Sequence, residues 1–211
     1  MRFTACLLFL FYMPLCIAQE PCSPAKLNAD LEQVLELDQG LRRTHQFAVY
    51  DQKFSPSAEH QAAVDKALSD MRVADQNNHA IVEGIFNTCG APDARLLSYK
   101  ANTALFLTIQ HGSKADRITY FPYFEKQYQD NQLHSFRYVM MVDRMRFDQG
   151  KGQLYGTQFF PNKEGVDAYG NVEEPEKINE RREKMGMTRL LVFDEVYPPK
   201  TEQGKSMEKS R

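Results

Sequence analysis

The chain is poor in features that disclose a function quickly. Past Ile17 no segment is long and apolar enough to cross a bilayer as a helix, which takes about 20 residues. There is no excess of basic residues: 26 Lys and Arg stand against 28 Asp and Glu, a formal net charge of −2. That balance argues against a nucleic-acid partner, which calls for a basic patch on a basic domain. Neither a Gly-x-Ser-x-Gly turn nor a phosphate-binding glycine loop is present, no dense metal-ligand spacing occurs, and the sequence has no internal repeats. Serine-hydrolase and nucleotide-binding signatures are therefore missing.

Cysteine is scarce, and half of it sits in a leader. Arg2 followed by the apolar run Leu7 to Ile17, with small residues at Cys16 and Ala18, reads as a secretory signal over residues 1–18. The expectation is a protein exported to the periplasm or secreted, with cleavage after Ala18 and no stable membrane span. Only Cys22 and Cys89 then remain, and a pair in an oxidising compartment is expected to form a disulfide. Such a bond would tie the start of the first helix to the end of the second. Closing so long a loop contributes roughly 4 kcal/mol in the chain-entropy model.

Beyond the leader the chain reads as one mainly α domain over 19–197, a bundle of about six helices with a small late β-hairpin. Ser23-Pro24 opens a helix to about Arg43, and Ser55-Pro56 opens a second that runs to Thr88 and ends at Gly90. Arg95 to His111 forms a third, apolar around most of its circumference at Ala104 to Ile109, and so central. Gly112 is placed to end it in the left-handed conformation, and Ser113 caps a fourth helix that Pro122 should kink or divide. Leu133 to Phe147 is the fifth. Gln153 to Phe160 alternates as a strand, with a turn at 161–165 and a return strand over Val166 to Tyr169. Pro175 opens the last helix to Met185, closed by Gly186. Order is expected to stop at Pro198-Pro199, leaving 198–211 as a disordered tail.

Three aspartates interrupt the apolar stripes of these helices. At about 100° per residue, Asp38 falls among Leu27, Leu31, Val34 and Leu41. Asp75 falls among Val64, Leu68, Met71 and Val82, with Asn78 beside it, and Asp143 among Phe136, Val139, Met140 and Phe147. An unpaired buried carboxylate is costly, so these residues point to an internal polar cluster. Arg42, one turn beyond Asp38, is its natural partner. Asp143 needs a cation from elsewhere, since the adjacent Arg144 leaves the helix about 100° away, and Arg181 or Arg182 would serve. Asp75 has only His79 on its face. Asp75, His79 and Glu83 also succeed one another at four-residue intervals, a spacing from which two neighbours could share a metal. Gln110-His111 closes the central helix, where the dipole favours an imidazolium and His111 could act as an acid or base or simply bond the last carbonyls. Gln153, Tyr155, Thr157 and Gln158 offer amides and hydroxyls for recognition, or satisfy the edge of a hairpin. Gly156 within the strand marks close approach by a ligand or by other backbone.

Taken in order, Asp38 and Arg42, Asp75 and Asn78, Gly90-Ala91-Pro92, Gln110-His111, Asp143-Arg144, Gln153 to Gln158 and Arg181-Arg182 resemble the pattern of a bacterial family of unknown function. The resemblance spans nearly all of the chain after the leader and implies a fold and a set of site positions, with no activity attached. The chain departs from it at Ala91, where the family usually carries an aromatic residue, and at Leu97 or Ser98, where a glycine is common.

Three functions fit these residues. A small hydrolase would use His111, Asp75 and Asp143 for catalysis. A binding protein would hold a small ligand or meet a protein through Asp38, Arg42, Asn78, Gln110, Arg144, Tyr155, Thr157, Gln158 and Arg181. A third reading makes the Asp–Arg network purely structural. Three internal carboxylates could also hold Mg²⁺ or Mn²⁺ through oxygen. The residues name neither a cofactor nor a metal, and the identity of a ligand or protein partner is not written in them.

Overall fold

A helix continues until something stops it, and between Ser23 and Ser55 nothing does. The computed structural model describes residues 20–161 and 167–196. In it α1 runs over Pro24–Phe54, eleven residues past the expected end at Arg43. Gly40 is tolerated inside it. The stop comes from Pro56, whose ring drives Ser55 out of the helical region. The second helix is capped by Ser57 in place of Ser55, its hydroxyl accepting from His60 N, and α2 spans Ala58–Cys89. Cys22 and Cys89 are bonded, with Cα atoms 5.5 Å apart across 67 residues, so the open end of this long α1–α2 pair is stapled. The leader (1–18), the tail (198–211) and the turn expected after Pro161 lie outside the described residues.

The remaining elements close over that pair. A 3₁₀ turn at Ala94–Leu96 replaces the expected start at Arg95, and Ser98 caps α3 over Tyr99–His111. Gly112 ends α3 in an extended conformation, φ −66°, and not in the left-handed one. Ser113 and Asp116 form a reciprocal capping box for α4, Lys114–Gln129, which passes through Pro122 undivided. The fifth helix, α5, covers Ser135–Asp148 with the His134 ring accepting from Phe136 N. Three-residue strands β1 (Phe159–Pro161) and β2 (Asp167–Tyr169) pair antiparallel, with Phe159 opposite Tyr169. A 3₁₀ turn at Pro175–Lys177 leads into α6, Ile178–Lys184, shorter than the expected last helix. An unexpected α7 comes after it, over Leu191–Val196. The chain is thus mainly helical, with seven α-helices among the described residues.

The core forms where the α3 sequence is apolar all round. Ala101, Ala104, Leu105, Phe106 and Ile109 are buried against Leu27, Leu31 and Val34 of α1, Val82 and Ile85 of α2, and Phe124 and Met141 of α4 and α5. On α2 the buried line is Ala67, Ala74, Asn78, Val82 and Ile85. It is rotated from the line drawn through Leu68, Met71 and Asp75, which are only partly buried. Asp75 consequently lies at the edge of the helix pair, 29% exposed, and not inside it. No described helix is long and apolar enough to cross a membrane.

Candidate functional site

Four of the expected site residues meet where α1, α2 and the C-terminal end of α3 converge. Asp38, buried on α1, accepts from Arg42 Nε at 3.0 Å and from Gln39 Nε2 at 2.6 Å. The Arg42 guanidinium reaches across to α2. Its Nη2 lies 2.9 Å from Asp38 Oδ1 and 2.6 Å from Asp75 Oδ1, while Nη1 rests on Met71 Sδ at 3.3 Å. The partner that Asp75 lacked in sequence is therefore Arg42, which serves both carboxylates. His111, the last residue of α3, points Nδ1 at Asp38 Oδ1 from 3.5 Å without closing a hydrogen bond, and its ring is 29% exposed.

The two carboxylates are driven apart electrostatically. Burial alone would raise Asp38, but the His111 and Arg42 side chains outweigh it and hold the group well below the ordinary carboxylate range. For Asp75 burial prevails over the attraction of Arg42 and His111, and the Asp38 charge adds to it, so its pKa is raised. Opposed shifts in adjacent carboxylates are a mark of acid–base sites. Asp38, Asp75 and His111 present ligand atoms within 4.8 Å of one another, close enough for one metal ion. A guanidinium already bridges the two carboxylates, so an ion there would have to displace Arg42.

His79 does not join Asp75. Its Nε2 lies 2.9 Å from Asp116 Oδ1, on the residue that caps α4, and its Nδ1 lies 4.0 Å from Glu83. Asp116 and Gln39 were not singled out from sequence. The S-x-x-D spacing after Gly112 would have located the cap, whereas nothing local marks Gln39. Asn78 is buried with Nδ2 unsatisfied, beside a groove of about 340 Å³ shared with Leu37 and Ile81. Gln110 is buried too. Its backbone carbonyl accepts from Arg117 Nη1 at 3.2 Å, while its Oε1 has no partner. Arg144 is half-buried with Nε unsatisfied, and burial together with the nearby Arg117 lowers its pKa.

The third aspartate belongs to a different arrangement. Asp143 is fully buried on α5, and its carboxylate accepts from Leu154 N (2.7 Å), Thr157 N (3.0 Å) and Thr157 Oγ1 (3.0 Å), with Tyr155 N at 3.1 Å. No strand runs over Gln153–Gln158; this stretch is a loop folded around a carboxylate, which supplies the acceptors a second strand would have given. Gln153 braces it, donating Nε2 to Gln158 O (2.9 Å) and accepting from Gln158 N (2.7 Å). Gln158 in turn donates to Met140 O. Gly156 has φ +63°, and a Cβ there would stand 2.9 Å from Ile178 Cδ1, so the close approach is by core side chains.

Arg181 and Arg182 do not pair with Asp143 as expected. Arg181 Nε donates to Leu154 O and Arg182 Nη1 to Tyr155 O, both at 2.7 Å, clamping the loop from its outer side. Asp143, Tyr155, Thr157, Gln158 and Arg181 thus hold one loop in place. Asp143 has its acceptor sites filled and no solvent access, which leaves it no path to a substrate.

The chain matches no protein-family model, no curated protein and no solved structure.

Proposed function

We propose that this is an exported protein that binds a small polar ligand over Asp38, Arg42, Asp75 and His111, with His111 as the group that moves a proton in a hydrolytic reaction. The observation carrying this reading is the His111 ring, 29% exposed and aimed at a carboxylate that Arg42 already pairs. A structural ion pair needs no such imidazole. Asp38 stands 3.5 Å from Nδ1 and would orient the ring once that hydrogen bond closes, as a buried carboxylate does for a catalytic histidine. Arg42 offers donors to a developing negative charge, and Asp75 stands beside it with its pKa raised by burial. Asp143 drops out of the catalytic set, for the reason its filled shell gives. The Cys22–Cys89 bond supports folding in an oxidising compartment, and the resemblance to a bacterial family of unknown function is part of the same proposal.

The test is a panel of chromogenic esters, phosphomonoesters, phosphodiesters, amides and glycosides, run with the parent and with His111→Ala. Turnover of one class that falls about a hundredfold in the variant, with its melting curve intact, is the expected result. Absence of turnover across the panel, or turnover that survives the substitution, overturns the hydrolytic reading. One observation favours a second reading, that of a non-catalytic interaction protein with a structural network. Arg42, held by Asp38 one turn away on its own helix, joins α1 to α2 through Asp75, which would fix the register of the two long helices whatever His111 does.

A further inference from the structure

A second cleft lies away from this cluster. It has a volume of about 560 Å³ and opens where the Gly90-Ala91-Pro92 turn faces the second half of α4. Its size is within the range of small-molecule sites. Ala91, Pro92, Ala94 and the Tyr123 ring make an apolar wall. The Tyr123 hydroxyl donates to Pro92 O at 3.1 Å, which fixes the turn against α4.

Gln127 also lines the cleft and is only 8% exposed; its amide stands beside the Tyr123 hydroxyl, and its Nε2 closes no well-formed hydrogen bond. An unmatched buried donor is unfavourable, and a ligand oxygen would satisfy it. Two ion pairs flank this amide. Asp93 and Arg95 meet at 2.6 Å on one wall, and Lys126 and Asp130 at 2.8 Å on the other. The Arg95 pKa is raised chiefly by the hydrogen bond and charge of Asp93, with a smaller contribution from Asp130 across the opening.

We infer that this cleft is a second binding site, independent of the His111 cluster, for a zwitterion of the α-amino acid or dipeptide class. The four charges sum to zero, one pair on each wall. A simple anion would meet Asp93 and Asp130, and a simple cation would meet Arg95 and Lys126. A molecule carrying both an ammonium and a carboxylate finds a partner for each. Its carboxylate or peptide oxygen accepts from Gln127, and a small side chain covers the apolar wall beside Ala91.

Calorimetric titration of the disulfide-bonded protein with glycine, L-alanine, L-glutamate, L-lysine and glycyl-alanine tests this, with acetate and ethylamine as single-charge controls. Saturable binding of at least one zwitterion, weakened about fivefold or more by Gln127→Leu, is expected. Ala91→Phe, at an exposed position, should block the cleft and abolish binding even if the core variant folds poorly. His111→Ala should leave it unchanged. Failure of every zwitterion to bind, equal binding of acetate or ethylamine, full affinity in Ala91→Phe, or loss of affinity in His111→Ala each overturns the inference.

Discussion

Arg42 Nη2 approaches Asp75 Oδ1 to 2.6 Å while the same atom serves Asp38, so one guanidinium holds two carboxylates that differ sharply in burial. Asp38 is 4% exposed and Asp75 is 29% exposed. The same contact therefore has a different worth at its two ends. For Asp38 the cation replaces lost hydration; for Asp75, water still shares the charge and screens the pair.

Substitution of each carboxylate by its amide separates the two roles. Asp38→Asn leaves Arg42 and His111 facing a neutral group and is expected to reduce unfolding free energy by about 3 kcal/mol. Asp75→Asn is expected to be as stable as the parent or slightly more so, because burial disfavours its charge. Denaturant unfolding with the disulfide intact measures both. A large loss in Asp75→Asn would favour the structural network over the site.

The two shifts give opposite pH signatures. Asp38, with its folded pKa depressed, contributes stability that is present above its unfolded value, near about 4, and disappears as pH falls through the folded one. Asp75, with its folded pKa raised, contributes stability that is present below about 4 and disappears as pH rises through its folded value. Asp38→Asn should therefore flatten the acid limb of the stability profile. Asp75→Asn should remove a small decline on the side above about pH 4. Melting temperatures from pH 2 to 7 for the three proteins show whether the signs hold.

Loop anchoring by Asp143 predicts a local response as well as a global one. Asp143→Asn keeps the shape but turns part of the acceptor shell into a donor that faces backbone N–H groups. A loss of about 3 kcal/mol is expected, together with faster amide exchange at Leu154, Tyr155 and Thr157. Exchange unchanged at those three amides would contradict the anchor.

Removal of the Cys22–Cys89 bond by a double serine substitution should lower stability by up to about 4 kcal/mol. Because the bond staples one end of the α1–α2 pair, the loss should be accompanied by increased exchange at the start of α1. Equal stability with and without reductant would contradict it.

Some helix starts were written locally, and so were legible: Ser23 with Pro24, Ser113 before α4, and the all-round apolar α3 are decided by neighbours within a turn or two, whereas the caps of α2 and α3 fell at Ser57 and Ser98. Periodicity likewise placed Asp38 and Asp143 inside the protein, and the cysteine count paired Cys22 with Cys89. What a carboxylate meets across an interface is not a local property. Only the packing of the helices, which buries Ala67, Ala74 and Asn78 on α2, left Asp75 partly exposed and gave it Arg42. Only the tertiary fold wrapped Gln153–Gln158 around Asp143, because a polar alternating segment satisfies its backbone equally well on a neighbouring strand or on a buried carboxylate. The sequence by itself determined that helices dominate, that Asp38 and Asp143 lie inside, and that Arg42 meets Asp38 one turn away; the tertiary structure decided where several helices begin and end and which partners Asp75 and Asp143 find, since those partners lie 11 to 33 residues apart along the chain and are joined by packing alone.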